Sequence, residues 1–239
     1  MAEKETILFI HGFMGSMDDW SEIVQSLPDY NCLAIELPGH SGQLPAFETL
    51  EHYLIHLNEI LDVTVHMVGY SMGGRIAMQF ALRYPDKIKS LCIISASPGI
   101  EPAEAQSRLE LEAKWAIQMG DDFEGFLERW YEMPIFCGLD EKLKSALIKK
   151  RLKQQPLQLI RAMDLFSPAH AENIWPQLGK INSPFLYLAG ELDEKYATMA
   201  KAIRGNYTRI SVSIIDDCSH AVHLEKPNFL IKKLTNFMA

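Results

Sequence analysis

Short β-branched and aliphatic runs alternate with stretches of helical period at both ends of this chain, and that alternation constrains the fold more than any other feature. Runs at positions 6–10, 32–37, 63–68, 88–95, 183–189 and 210–215 read as strands. Stretches at 20–27, 50–61, 74–84, 197–203 and 228–237 carry apolar residues three and four apart, the spacing of one helix face. Several strand runs are apolar at nearly every position, as strands buried on both faces of a helix-covered parallel sheet must be. Between 98 and 179 the alternation stops. No strand pattern occurs there, whereas 102–119, 123–132, 141–153 and 157–165 read as helices in a charged block bounded by Pro98, Pro176 and Pro184. The pattern therefore predicts an α/β core of residues 1–97 and 177–239, a mostly parallel sheet flanked by helices, with residues 98–176 inserted as a helical cap.

Charge narrows the partners. Against 23 Lys and Arg the chain sets 31 Asp and Glu, a net charge of −8. A surface of that sign does not attract a phosphate backbone, which argues against nucleic acid. The opening run Ile7-Leu8-Phe9-Ile10 is too short for a secretory leader, and no segment approaches the roughly 18 apolar residues that cross a bilayer. Cys32, Cys92, Cys137 and Cys218 form no C-x-x-C pair and sit mostly in apolar runs, so they read as buried, reduced thiols. The expectation is a cytoplasmic protein, monomeric or weakly self-associating, that handles a small molecule and binds neither nucleic acid nor membrane.

Gly69-Tyr70-Ser71-Met72-Gly73 supplies a candidate nucleophile or base. The motif is short, but it lies between a strand pattern and a helix pattern, where a sharp turn lifts the serine hydroxyl out of the sheet. A serine hydroxyl is inert without an imidazole beside it and a carboxylate to orient that imidazole. His220 and Asp193 follow the last two strand patterns, giving the chain order serine, acid, histidine. His223 is a rival for the imidazole, and Asp216 and Asp217 are rivals for the carboxylate. The two aspartates stand so near His220 in sequence that they suit its loop better. The eight histidines are otherwise scattered; His52 and His56 are one helical turn apart with no third ligand nearby, and no phosphate-cradling glycine motif is present. The residues thus give only weak support to a metal or phosphate site.

With these residues the chain resembles the α/β-hydrolase superfamily over its full length. More narrowly, it resembles the 2-succinyl-6-hydroxy-2,4-cyclohexadiene-1-carboxylate synthases of menaquinone biosynthesis. The narrower likeness rests on His11-Gly12-Phe13-Met14-Gly15-Ser16 with Trp20, Leu37-Pro38-Gly39-His40, Arg75 directly after Gly73-Gly74, and Ser97-Pro98-Gly99. It rests equally on Trp130-Tyr131 with Pro134 and Phe136, Asp193-Glu194-Lys195-Tyr196, and His220-Ala221-Val222-His223-Leu224-Glu225. The resemblance implies a cofactor-independent elimination of pyruvate, in which Ser71, activated by His220 and Asp193, removes a ring proton. It implies oxyanion donors at the backbone N–H groups of Phe13 and Met72. His11 then reads as structural, and His40 as shaping a rim of the cleft. A polycarboxylate substrate calls for guanidinium groups inside an acidic protein, and Arg75, Arg108 and Arg151 are the expected contacts, with Tyr70 and Trp130 shaping the pocket. A serine esterase or C–C hydrolase with the same triad and an apolar cleft is the alternative. Glu36, Ser41 and Ser219 depart from the family's usual aspartate, glycine, and glycine or alanine.

Overall fold

Burial along each strand dictates its place in the sheet. In a computed structural model, which describes residues 4–40, 42 and 46–238, strands β1 (Thr6–Ile10), β3 (Val65–Tyr70) and β5 (Phe185–Gly190) are buried at every residue. β4 (Ile88–Ile94) is buried at all but Lys89, while β2 (Asn31–Ile35) and β6 (Ile210–Ile215) are partly exposed. The six strands form one sheet in the order β2-β1-β3-β4-β5-β6 with every neighbouring pair parallel, so the two exposed strands are its edges.

Alternation within the strands sends side chains to two layers. Leu8 and Ile10 pack with α2 (Leu50–Ile60), α3 (Met72–Arg83) and α8 (Glu194–Asn206). Ile7 and Phe9 pack with Trp20, α1 (Ser21–Gln25) and α10 (Pro227–Met238). Each such side chain contributes about 1.5–3 kcal/mol on burial, and a one-residue slip would exchange the two sets, so the hydrophobic layers enforce the register.

Element boundaries differ from the sequence pattern where glycine or a cap intervenes. The third strand begins at Val65, leaving Val63 exposed, and runs through Gly69 and Tyr70 to the serine. α3 begins at Met72, because Gly73 and Gly74, poor helix formers, conceal its first turn. α8 begins at Glu194 because the Asp193 carboxylate caps it, accepting from the Tyr196 N–H at 3.4 Å. The stretch 20–27 divides into a 3-10 turn at Met17–Trp20 and α1, and the short helix α9 (Val222–Glu225) has no counterpart in the periodicity.

Between β4 and β5 the described chain is helical: α4 (Ala105–Asp121), α5 (Phe123–Tyr131), α6 (Glu141–Arg151) and α7 (Pro156–Leu165). Met119, Phe126, Leu127 and Leu159 gather around Met14, which belongs to the loop after β1. That contact joins the helical segment to the sheet at the strands' C-terminal ends. Among the described residues no helix is long and apolar enough to cross a membrane. All four cysteines are free; Cys92 and Cys218 are buried, Cys32 is half-buried, and Cys137, just past the turn Pro134–Phe136, is exposed, contrary to the expectation of burial.

Candidate active site

Ser71 occupies the one residue between β3 and α3, with φ 51° and ψ −112°. A non-glycine residue in that region costs about 1–3 kcal/mol and persists only where its surroundings impose it. Here its N–H donates to the Ile94 carbonyl at 2.9 Å, and the motif glycines let strand and helix close around it. A Cβ on Gly69 would stand 2.6 Å from the Gly73 carbonyl oxygen, and one on Gly73 would fall onto the carbonyl oxygens of Ile10 and His11. The spacing of the motif is thus a packing requirement of the turn.

The His220 ring lies between Ser71 and Asp193, with Nε2 3.0 Å from the serine Oγ and Nδ1 2.5 Å from the Asp193 Oδ2. Asp193 is fully buried and His220 is 3% exposed. The carboxylate holds the proton on Nδ1, which leaves Nε2 as the acceptor facing the hydroxyl. Glu225 and the helical segment position the imidazole. The Glu225 carboxylate accepts the N–H groups of Ser219 (2.7 Å) and Ala221 (3.0 Å) on either side of it. The Ser219 hydroxyl donates to the same carboxylate at 2.7 Å, so the departure at this position adds a bond. From the helical segment, the Ile135 carbonyl accepts the His220 N–H at 2.9 Å, and the Phe136 ring meets the imidazole edge-on at 5.7 Å. Of the rivals, Asp216 and Asp217 are exposed, and His223 is packed between the tilted rings of Trp20 and Tyr70.

Phe13 and Met72 line the same cavity as Ser71. Met72 is the first residue of α3, where helix geometry leaves the N–H without an intrahelical acceptor and the helix dipole favours negative charge. The loop carrying Phe13 is fixed from two sides. Met14, at φ 58°, donates its N–H to His40 Nε2 at 3.1 Å, and Gln154 donates to the Met14 carbonyl at 2.7 Å. His40 is therefore not on the rim: it is buried beneath the loop, and burial, with His11 beside it, lowers its pKa to about 3. His11 is structural as expected, accepting from the Leu37 N–H at 3.0 Å and facing the Gly12 carbonyl at 2.8 Å. The longer side chain of Glu36 reaches to 3.0 Å from that ring, while Ser41 lies outside the described residues.

The cavity encloses about 260 Å³, and Tyr70, Arg75, Arg108, Trp130 and Arg151 all stand in its wall. Their charges are not equivalent. Arg151 forks onto Asp19, with Nη2 2.6 Å from Oδ2 and Nη1 3.1 Å from Oδ1, and Lys150 reaches the same carboxylate at 2.8 Å. Burial alone would raise the Asp19 pKa, but these cations hold it well below the carboxylate range. Arg108 is paired with Glu112 at 2.6 Å and lies over the Trp115 ring. Arg75 has no carboxylate partner among the described residues; it donates to the Phe166 carbonyl at 3.0 Å, and burial, reinforced by Arg108, brings its pKa down to about 10. Lys195, also in the wall, lies over the Tyr196 ring and has no carboxylate partner among the described residues, and desolvation together with Arg108 and Arg75 lowers its pKa. Sequence reasoning identified the arginines but not Lys195, Asp19 or Glu112. The Arg108–Glu112 spacing of four on a helix was the one readable signal; the Arg151–Asp19 pair bridges positions 132 apart.

The chain matches the model of the alpha/beta hydrolase fold over residues 5–227. The 2-succinyl-6-hydroxy-2,4-cyclohexadiene-1-carboxylate synthase of Klebsiella pneumoniae (strain 342) is 29% identical to it, covering 98% of this chain and 93% of the relative. The structure of MenH from S. aureus superimposes with a TM-score of 0.92 at 27% identity, over 99% of this chain and 94% of that one. A carboxylesterase structure from Nitrososphaera gargenis shares the fold, with a TM-score of 0.84 at 17% identity.

Proposed function

Because the chain belongs to the alpha/beta hydrolase fold family, and its full-length relatives include 2-succinyl-6-hydroxy-2,4-cyclohexadiene-1-carboxylate synthases, we propose that it is a cofactor-independent lyase of menaquinone biosynthesis. It converts 2-succinyl-5-enolpyruvyl-6-hydroxy-3-cyclohexene-1-carboxylate to pyruvate and 2-succinyl-6-hydroxy-2,4-cyclohexadiene-1-carboxylate. The observation that carries this reading is Arg75, a guanidinium without a carboxylate partner in the wall of a cavity that also holds Ser71. A cleft for neutral esters has no use for a desolvated cation without a counter-charge, whereas a polyanionic substrate supplies that counter-charge.

The two names define the chemistry. Between substrate and product, ring carbon 2 loses a proton, the double bond moves from position 3, a second one forms at position 4, and the enolpyruvyl oxygen leaves carbon 5. Ser71 Oγ takes the carbon-bound proton as it passes its own to His220 Nε2, and Asp193 stabilises the resulting imidazolium. Carbon 2 bears the succinyl ketone, so negative charge develops on that carbonyl oxygen, where the N–H groups of Phe13 and Met72 and the N-terminus of α3 stabilise it. Collapse of the charge expels pyruvate enolate, which takes up a proton. Arg75, with Arg108 and Lys195, binds substrate carboxylates. Arg151, whose fork is engaged by Asp19, contributes less charge than the sequence alone implied, and Tyr70 and Trp130 shape the wall. Residues 98–176 serve as a cap that closes the cavity over Ser71 and excludes water. In this reading the protein works in the cytoplasm, without nucleic acid or membrane, as a monomer or weak homo-oligomer.

A coupled assay for pyruvate release, run beside a panel of p-nitrophenyl esters, tests it. Arg75→Ala is expected to lower kcat/KM for the polyanion by about 10- to 100-fold, the worth of a charge-assisted hydrogen bond, and to leave ester hydrolysis nearly unchanged. Ester turnover with no pyruvate release would instead make the protein a serine esterase.

A further inference from the structure

Glu112 has no part in the elimination, yet it is buried against one of the cations that the substrate meets. Its side chain is 7% exposed, and both carboxylate oxygens are engaged. Oε1 accepts from Arg108 Nε at 2.7 Å, with Arg108 Nη2 2.6 Å away, one helical turn back on α4. Oε2 accepts from the Ser167 hydroxyl at 2.6 Å. Ser167 is itself buried, and its Oγ accepts the Ala169 N–H at 3.1 Å, which leaves the hydroxyl proton for Glu112. A fixed chain of hydrogen bonds thus runs from the backbone just after α7, through Ser167 and Glu112, to the guanidinium of Arg108.

That chain ends in the cavity wall. Arg108 lies there with its Cζ 5.1 Å from the centre of the Trp115 ring, another wall residue. Ring and carboxylate together fix the plane of the guanidinium, and a planar fork pairs best with a carboxylate lying in that plane. Glu112 occupies Nε and reaches Nη2, while Nη1 has no acceptor among the described residues. The residue before Ser167 is tied to the other arginine: the Phe166 carbonyl accepts from Arg75 at 3.0 Å. Charge alone does not account for Glu112. A carboxylate beside an anion-binding cation repels the anion, and its own desolvation can cost as much as its ion pair returns. Alignment of Arg108 accounts for it.

We propose that Glu112 is a positioning residue for the proposed lyase reaction: held by Ser167, it fixes the Arg108 guanidinium in the orientation that receives a substrate carboxylate. Phe166 does the same for Arg75 through its carbonyl, so one short stretch of chain sets the spacing of two anion-binding groups. The inference rests on the proposed function, in which both arginines bind carboxylates of the substrate.

The sign of one effect separates alignment from charge. Steady-state pyruvate assays on the wild type, Glu112→Ala, Glu112→Gln, Arg108→Ala and the double variant of Glu112→Ala with Arg108→Ala give kcat and KM, and thermal melts establish that each is folded. If Glu112 were only a counter-charge, its removal would lower KM for the polyanion. Alignment predicts the reverse: Glu112→Ala raises KM about three- to tenfold and leaves kcat within about twofold, because bound substrate and transition state share the carboxylate contact. Gln keeps an oxygen for Arg108 and is expected to recover most of the loss. In the Arg108→Ala background, Glu112→Ala should change KM by no more than about twofold, whereas general damage to the helical segment would add in full. Should Glu112→Ala not fold, Ser167→Ala, which frees the Oε2 side of the carboxylate, decides: KM should rise about two- to threefold with Arg108 present and not in its absence. A KM that is unchanged or lowered, a Gln variant no better than Ala, or equal losses with and without Arg108 overturns the proposal. If the wild type releases pyruvate and any of these results is found, this inference alone fails; if the wild type releases none, the functional reading fails with it.

Discussion

The two ends of the parallel strands carry the same kinds of residue in the same hydrogen-bonded order. At the C-terminal ends Ser71, His220 and Asp193 are linked through the imidazole. At the N-terminal ends Ser90 Oγ lies 2.7 Å from His66 Nδ1, and His66 Nε2 lies 2.8 Å from the Glu5 carboxylate. Everything around them differs. Ser90 is mid-strand, paired with His66 itself across the β3–β4 ladder, and both are almost fully buried. Its imidazole is reversed, offering Nδ1 to the serine and Nε2 to the acid. None of the three lines the cavity, and Glu5 also pairs with Lys89. Contact among a serine, a histidine and a carboxylate is therefore common to both sets and does not tell them apart. The strained turn, the helix N-terminus and an open cavity distinguish the first set.

Matched substitutions give the largest expected contrast. Ser71→Ala should reduce kcat for pyruvate release by about a thousandfold or more, whereas Ser90→Ala should change it by no more than about twofold. Steady-state pyruvate assays on the two variants check this. A comparable loss in Ser90→Ala would mean that the buried trio takes part in function.

The next effect sharpens the comparison through acid stability. His40 and His223, both beside the Ser71 site, are buried neutral with pKa values near 3, against about 6.5 for an unfolded histidine. Between those values the unfolded chain binds more protons, so stability is full above about pH 6.5 and falls as pH drops towards 3, by about 1.4 kcal/mol per pH unit for each ring. Urea melts from pH 7 to pH 4 should show this decline, and His223→Phe should remove about half of the part due to these two rings. An unchanged slope in the variant would show that the ring is not held neutral.

What the sequence disclosed and what it withheld divide along the same physical line. The triad was legible because each member follows a strand pattern at the C-terminal ends of a parallel sheet, where loops converge. The helical stretch between β4 and β5 was legible because no period-two run interrupts it. The partners of charged groups were not. Asp19 and Arg151 are 132 positions apart, and no local pattern joins a 3-10 turn to the end of α6. The role of His40 was hidden likewise, since its partner Met14 lies 26 positions away across a loop at positive φ. The trio of Glu5, His66 and Ser90 carried no motif, for its members meet only through strand register. Periodicity reports which face a residue takes; it does not report which distant side chain it meets there.

The smallest expected effect makes the contrast between the two trios a double one. Removing the Ser90 hydroxyl strands a buried imidazole nitrogen, which costs about 1–3 kcal/mol. In a domain of this size that is a fall in Tm of roughly 2–4 °C per kcal/mol. Removing the Ser71 hydroxyl faces His220 Nε2 towards an open cavity where solvent can reach it, and alanine is no less suited than serine to the strained turn, so the expected change in Tm is within about 1 °C. Thermal melts at neutral pH on the two alanine variants read both. Ser90→Ala should lose stability without activity, and Ser71→Ala should lose activity without stability. A stable Ser90→Ala protein would show that the His66 contact carries no net energy, and the resemblance between the two ends of the sheet would reduce to geometry.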